Sequence, residues 1–141
     1  MKKQLFFHTD ARSAKVATLQ ANPQVSWLFY DHRQQVQLQV TGPTEVQTSL
    51  ESTAWLWDSE SPASLKGYLA TLLPGSRCAE PETNVPAEWL GSIPDRAELS
   101  AGRKNFAVIC TTVTAMEWLI LRRDGNLRAF FAYDGAELSE N

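Results

Sequence analysis

Apolar and polar residues change their spacing several times along this chain, and each change marks an expected element. Leu5, Phe6 and Phe7 are consecutive and two are aromatic, which predicts a strand over residues 4–9. Thr9 and Asp10 follow, and both are good N-cap residues. Val16 and Leu19 then share one helical face, so a helix is expected over residues 11–21, stopped by Asn22-Pro23. Val25 to Tyr30 is rich in β-branched and aromatic residues and reads as a strand buried on both faces. Asp31-His32-Arg33 is a polar turn. From Gln35 to Thr41 the pattern alternates strictly, with Val36, Leu38 and Val40 on one face and three glutamines on the other. That is a half-buried strand ended by Gly42-Pro43, and it should pair with 25–30 as an antiparallel hairpin.

Residues 44–48 extend the sheet, and 49–57 and 62–73 read as two short helices opened by Ser or Pro. Residues 74–105 hold four of the seven prolines, which predicts a long loop with one helical turn at 86–90. Phe106 to Thr114 and Met116 to Arg123 are strands. Asp124-Gly125 is a hairpin turn and Asn126 to Tyr133 its return strand. Trp55, Trp57 and Trp89 are expected in the core. The expected fold class is mainly β with inserted helices (α+β): an antiparallel, barrel-like sheet.

Composition narrows the function. The chain has 141 residues, room for a single domain, 1–141. Net charge is −3, which gives no general pull towards nucleic acid or an anionic membrane, so an anion site would have to be local. No apolar run reaches the roughly 18 residues of a spanning helix, and the N-terminus lacks the apolar length of a signal peptide. Cys78 and Cys110 are far apart and form no CxxC, so free thiols in a reducing cytoplasm are expected. His8 and His32 are not at metal-ligand spacing, and no metal is expected. No GxSxG, P-loop or GxGxxG occurs.

Three places carry candidate chemistry. The first is His8-Thr9-Asp10-Ala11-Arg12-Ser13-Ala14-Lys15, where a strand ends and a helix begins. Helix N-termini attract anions through unpaired N–H groups and the helix dipole, while Lys and Arg normally favour the opposite end. Two cations here point to a bound phosphate, or else to a solvated turn in which Asp10 offsets them. The second is Gln37, either one rung of an exposed glutamine face or an amide that meets a heterocycle's carbonyl or ring N–H. The third is Glu117-Trp118 with Arg128, brought near by the hairpin, either a cross-strand surface pair beside a packed Trp or part of a site.

Together these stretches resemble the pyridoxamine 5′-phosphate oxidase family of FMN-binding split β-barrels. The likeness rests on Phe7 to Lys15, then Leu19, Asn22-Pro23, the strand through Leu28-Phe29-Tyr30, and Gln37 five positions before Gly42. It also rests on Trp118 followed ten positions later by Arg128. The resemblance implies that Thr9, Arg12, Ser13 and Lys15 hold the FMN phosphate, with His8 beside the ribityl chain. Gln37 would bond the isoalloxazine edge. Trp118 and Arg128 would reach the flavin from a partner subunit, since the family's FMN sites lie at a homodimer interface. A positive group at the N1/C2 edge offsets negative charge on the reduced ring, and Arg128 would supply it.

Departures from the family pattern shape the expected activity. The strand pair with an Arg-x-Val-Leu-type motif that precedes Phe-x-Thr in the family is missing, so the first strands of the fold are expected to be absent. Ala14 stands at the family's phosphate-binding Arg, with Arg12 as its substitute. Where the oxidase has cations for the substrate phosphate, this chain has Asp124, Asn126 and Glu60, which would repel one. The expectation is an FMN-dependent oxidoreductase acting on a small molecule other than pyridoxamine phosphate, with no general base assigned. A non-catalytic split-barrel binding or assembly module is the alternative. A haem-handling barrel, with His8 or His32 on iron, ranks last.

Overall fold

The computed structural model describes residues 3–80, 83–133 and 138–140. Among the described residues there are seven strands and four short α-helices. β1 is Gln4–Asp10, α1 Ala14–Ala21, β2 Gln24–Asp31, β3 Val36–Gln47, α2 Leu50–Ser59 and α3 Pro62–Leu65. α4 is Arg96–Leu99, β4 Phe106–Thr112, β5 Ala115–Ile120, β6 Leu127–Tyr133 and β7 Leu138–Glu140. The strands join in one sheet in the order β1-β4-β3-β5-β6-β7, with β2 also on β3. The β2–β3, β3–β5, β5–β6 and β6–β7 pairings are antiparallel.

The chain divides into two compact units. One comprises Met1–Phe6, Ala21–Glu45 and Cys110–Asn141; the other comprises Phe7–Gln20 and Val46–Ile109.

The first unit is sheet. Its β2–β3 hairpin forms as the alternation predicts. The turn is tied by Asp31, whose Oδ1 accepts the backbone N–H groups of Arg33 and Gln34 at 2.8 and 3.1 Å. β2, however, is not buried on both faces: Leu28, Phe29 and Tyr30 are all about half exposed or more. An apolar run of six residues cannot distinguish a central strand from an edge strand, because periodicity reports only what alternates. β3 also runs through Gly42-Pro43 instead of ending there. A Cβ at Gly42 would lie 1.8 Å from the Thr112 carbonyl oxygen, so the glycine permits a close backbone approach within the sheet. Pro43 sits opposite Gln24, at the first position of β2, where a missing N–H disturbs little. Trp27 Nε1 donates to Thr111 Oγ1 at 3.1 Å, satisfying both groups inside this unit.

The second unit has the larger apolar core. Leu56, Trp57, Leu65, Tyr68, Leu99, Phe106 and Val108 form one buried cluster. Local signals set its helices. Ser49 and Ser61 accept first-turn N–H groups at the starts of α2 and α3, and Pro62 occupies the first turn of α3. α4 lies inside the stretch expected to be loop. Its sequence signal is a capping box, Asp95 with Glu98, each side chain meeting the other's backbone N–H. The Arg96 guanidinium then donates to the carbonyls of Trp57, Asp58 and Glu60, filling acceptors that the end of α2 leaves open. Trp57 is core as expected, but Trp55 is 52% exposed.

Candidate functional site

The predicted site residues fall into the two units. His8, Thr9, Arg12, Ser13 and Lys15 lie in the helical unit. Gln37, Trp118 and Arg128 lie in the sheet unit.

In the helical unit, β1 delivers Thr9 and Asp10 to a tight turn, and α1 starts three residues later than the sequence pattern suggests. The reason is Asp10. Its Oδ1 accepts the Arg12 backbone N–H at 2.8 Å and Arg12 Nε at 3.0 Å, while Oδ2 accepts Arg12 Nη2 at 2.7 Å. This local closure competes with helix for residues 11–13. Nη2 also donates to the Ala70 carbonyl at 3.0 Å. The hydrogen bond with Asp10 raises the Arg12 pKa above its ordinary value.

Ser13 stands at the N-cap position of α1. An N-cap serine usually accepts an N–H of the first turn. Here Ser13 Oγ is buried and has no partner among the described residues. Beside it in sequence, Lys15 reaches back so that Nζ donates to Thr9 Oγ1 at 3.3 Å; Thr9 is buried and Lys15 exposed. The junction therefore presents an ammonium, two hydroxyls and a helix N-terminus whose first N–H groups lack intrahelical acceptors. A buried hydroxyl left unpaired costs on the order of 1–3 kcal/mol unless an acceptor or water arrives.

His8 belongs to a different arrangement. Its Nδ1 pairs with the Tyr68 hydroxyl at 2.5 Å, and Nε2 lies 3.4 Å from Glu60 Oε1. Its ring stacks on Phe106, with centroids 5.4 Å apart. Burial, with smaller contributions from the charges of Asp10 and Glu60, holds the Tyr68 pKa well above its ordinary value. The hydroxyl thus stays protonated and available to donate to Nδ1, while Nε2 faces the Glu60 carboxylate. Tyr68 and Glu60 were not legible as partners of His8, because their sequence separations carry no pattern.

In the sheet unit, register decides the geometry. Gln37 pairs with Tyr30 on one side and Leu119 on the other, and Leu119 pairs with Arg128. Tyr30, Gln37, Leu119 and Arg128 thus form one row on one sheet face, with Gln37 and Arg128 about 10 Å apart at two strand spacings. Arg128 Nη2 lies 3.5 Å from Glu117 Oε1, a cross-strand pair with Arg128 exposed and Glu117 half-buried. Trp118 sits between Leu38 and Ala129 in the next row, so it faces the opposite side from Arg128. The structure brings Gln37 and Arg128 to one face and puts Trp118 on the other.

No cluster of three metal-ligating side chains occurs among the described residues, and no helix among them is long and apolar enough to cross a membrane. Neither Cys78 nor Cys110 is in a disulfide.

The family model for pyridoxamine 5′-phosphate oxidase matches residues 1–76, over half of the chain. The chain belongs to the pyridoxamine 5′-phosphate oxidase family. Its antiparallel sheet with few helices is that family's split-barrel fold. Solved structures agree on the fold. A pyridoxamine 5′-phosphate oxidase-related, FMN binding protein from Nostoc punctiforme PCC 73102 is 22% identical, with a TM-score of 0.71 over 98% of this chain and 71% of the other. PhzG from Burkholderia lata 383, in complex with tetrahydrophenazine-1-carboxylic acid, is 17% identical, with a TM-score of 0.61 over 96% and 66%. A protein related to general stress protein 26, of the pyridoxinephosphate oxidase family, comes from Clostridium acetobutylicum. It is 14% identical, with a TM-score of 0.53 over 89% and 65%. The chain thus spans about two thirds of the length of these structures. No curated protein matches the chain.

Proposed function

We propose that this pyridoxamine 5′-phosphate oxidase family member is a cytoplasmic FMN-binding oxidoreductase. It works as a homodimer with the flavin at the subunit interface, on a small molecule other than pyridoxamine phosphate. The observation that carries the reading is the buried, unpartnered Ser13 Oγ at the start of α1. A phosphate oxygen is the acceptor that such a hydroxyl lacks, and Lys15 and Thr9 stand in the same turn to share its charge. The residues present therefore fit an FMN phosphate.

Bound FMN would supply the two-electron redox chemistry, for which no protein side chain is needed. The chain's own part is to hold and orient. Ser13, Thr9 and Lys15 anchor the phosphate. His8 fixes the end of β1 through Tyr68 and Glu60, and so holds the turn in place. Gln37 offers an amide that can donate or accept at a ring edge, and Arg128 a positive charge on the same sheet face. Trp118 faces the other side of β5, which suits a separate role towards a partner subunit. Glu60, taken up by His8, offers no cation to a substrate phosphate.

One observation favours the alternative, a non-catalytic binding or assembly module: Arg12 turns Nε and Nη2 to Asp10 and the Ala70 carbonyl and makes no contact with Ser13 or Lys15. The visible spectrum of the purified chain separates the two. The flavoprotein reading expects yellow protein, or apoprotein that quenches the fluorescence of added FMN. It also expects FMN to raise the melting temperature of wild type and not of Lys15→Ala. Colourless protein that leaves FMN fluorescence unchanged sinks it and leaves the module.

A further inference from the structure

Arg12 opens onto a cavity of about 300 Å3 inside the helical unit, lined among others by Leu69, Ala70, Thr71, Ala101 and Lys104. Of the residues grouped for the FMN phosphate, Arg12 alone lines it; Thr9, Ser13 and Lys15 do not. The cavity's charges are two cations and no acid in its wall, with Asp10 behind Arg12. That carboxylate takes Nε and one Nη2 proton, so it orients the guanidinium while Nη1 keeps both of its donors. Lys104 is exposed, and no acid pairs with it among the described residues. Thr71 adds a hydroxyl. Leu69, Ala70 and Ala101 add apolar wall, and the volume is at the small end of ligand sites.

A guanidinium oriented by Asp10 and an exposed ammonium in the wall of one small, partly apolar cavity are suited to an oxyanion carried on a short organic body. We infer that this cavity is a second anion site, taking a small carboxylate or phosphate ester with its charged end between Arg12 and Lys104. The site stands apart from the flavin reading and does not require it.

The test is a titration of the full-length, 15N-labelled chain with inorganic phosphate, benzoate and, as control, sodium chloride, followed by amide chemical shifts. The inference expects saturable shifts at Thr71, Lys104 and Asn105, which also lines the cavity, with phosphate or benzoate and none with chloride. A response to phosphate alone assigns a phosphate ester, and one to benzoate alone a carboxylate. Lys104→Gln, an exposed substitution, should weaken the response roughly fivefold or more, the scale of one partly exposed charge contact. Lys15→Ala should leave it unchanged while removing any phosphate response at Ser13 to Val16, which reports on the flavin cradle instead. Absence of saturation at Thr71, Lys104 and Asn105 overturns the inference. So does an equal response to chloride, or one that Lys104→Gln does not weaken.

Discussion

The strand–helix junction at Thr9 to Lys15 and the sheet row through Gln37 and Arg128 are two candidate surfaces built on different principles. The junction is local. Seven residues of sequence bring its hydroxyls and cations together, and they sit half-buried with one hydroxyl unsatisfied. The row is nonlocal. Its members come from four strands, with Gln37 and Leu119 half-buried between an exposed Tyr30 and Arg128, and meet through register alone. The junction shows a vacancy in its own hydrogen bonding, whereas the row shows only placement. A ligand claim is therefore stronger at the junction than at the row.

The largest effect should come from the residue that lets β3 approach its neighbour. Gly42→Ala puts a Cβ 1.8 Å from the Thr112 carbonyl oxygen, where no flexible side chain can yield. A loss of roughly 3 kcal/mol is expected, read from the urea midpoint, because backbone has to shift to admit the atom. The row at Gln37 would be disturbed with it, and the junction spared.

On the junction side, His8→Phe keeps the stack on Phe106 but leaves the buried Tyr68 hydroxyl without its acceptor. A destabilisation of about 1–3 kcal/mol is expected by chemical denaturation. Adding Tyr68→Phe should return most of it, since removing both partners leaves nothing unsatisfied. The same hydroxyl imposes an alkaline limit. Its folded pKa is raised mainly by burial, so its contribution is complete below the unfolded value of about 10 and is lost as pH rises towards the folded one. Tyr68→Phe should flatten that decline.

Ser13→Ala separates binding from stability. No hydrogen bond is lost within the chain and an unpaired buried hydroxyl is removed, so the apoprotein midpoint should hold or rise, by up to about 1–3 kcal/mol. FMN affinity should fall roughly tenfold to a hundredfold, the scale of one hydrogen bond to a charged group. The smallest effect belongs to the row. Arg128→Ala removes a partly exposed pair at 3.5 Å with Glu117, and apoprotein stability should stay within about 0.5 kcal/mol by the same measurement.

The comparison also explains what could be read in advance. The strands, both hairpins and the serine-capped helices follow from alternation and from short-range turn and cap chemistry, and all of these act over a few residues. α4 carried a legible capping box, Asp95 with Glu98, but four prolines nearby outweighed it. β2 was misplaced towards the core because Trp27 to Tyr30 is apolar whether or not a second layer covers it. Asp10 with Arg12, two positions apart, was foreseeable as a charge offset, and its effect on the start of α1 follows from side-chain geometry. The Tyr68–His8–Glu60 arrangement and the opposite facing of Trp118 and Arg128 depend on tertiary placement and register, which one sequence does not encode locally.

FMN fluorescence on titration with purified apoprotein tests the central claim most directly, with wild type, Ser13→Ala and Lys15→Ala run side by side. The account predicts saturable quenching by wild type, weaker binding by Ser13→Ala and still weaker binding by Lys15→Ala, with all three folded. Unquenched FMN with folded wild-type protein, or equal affinity across the three, would contradict it.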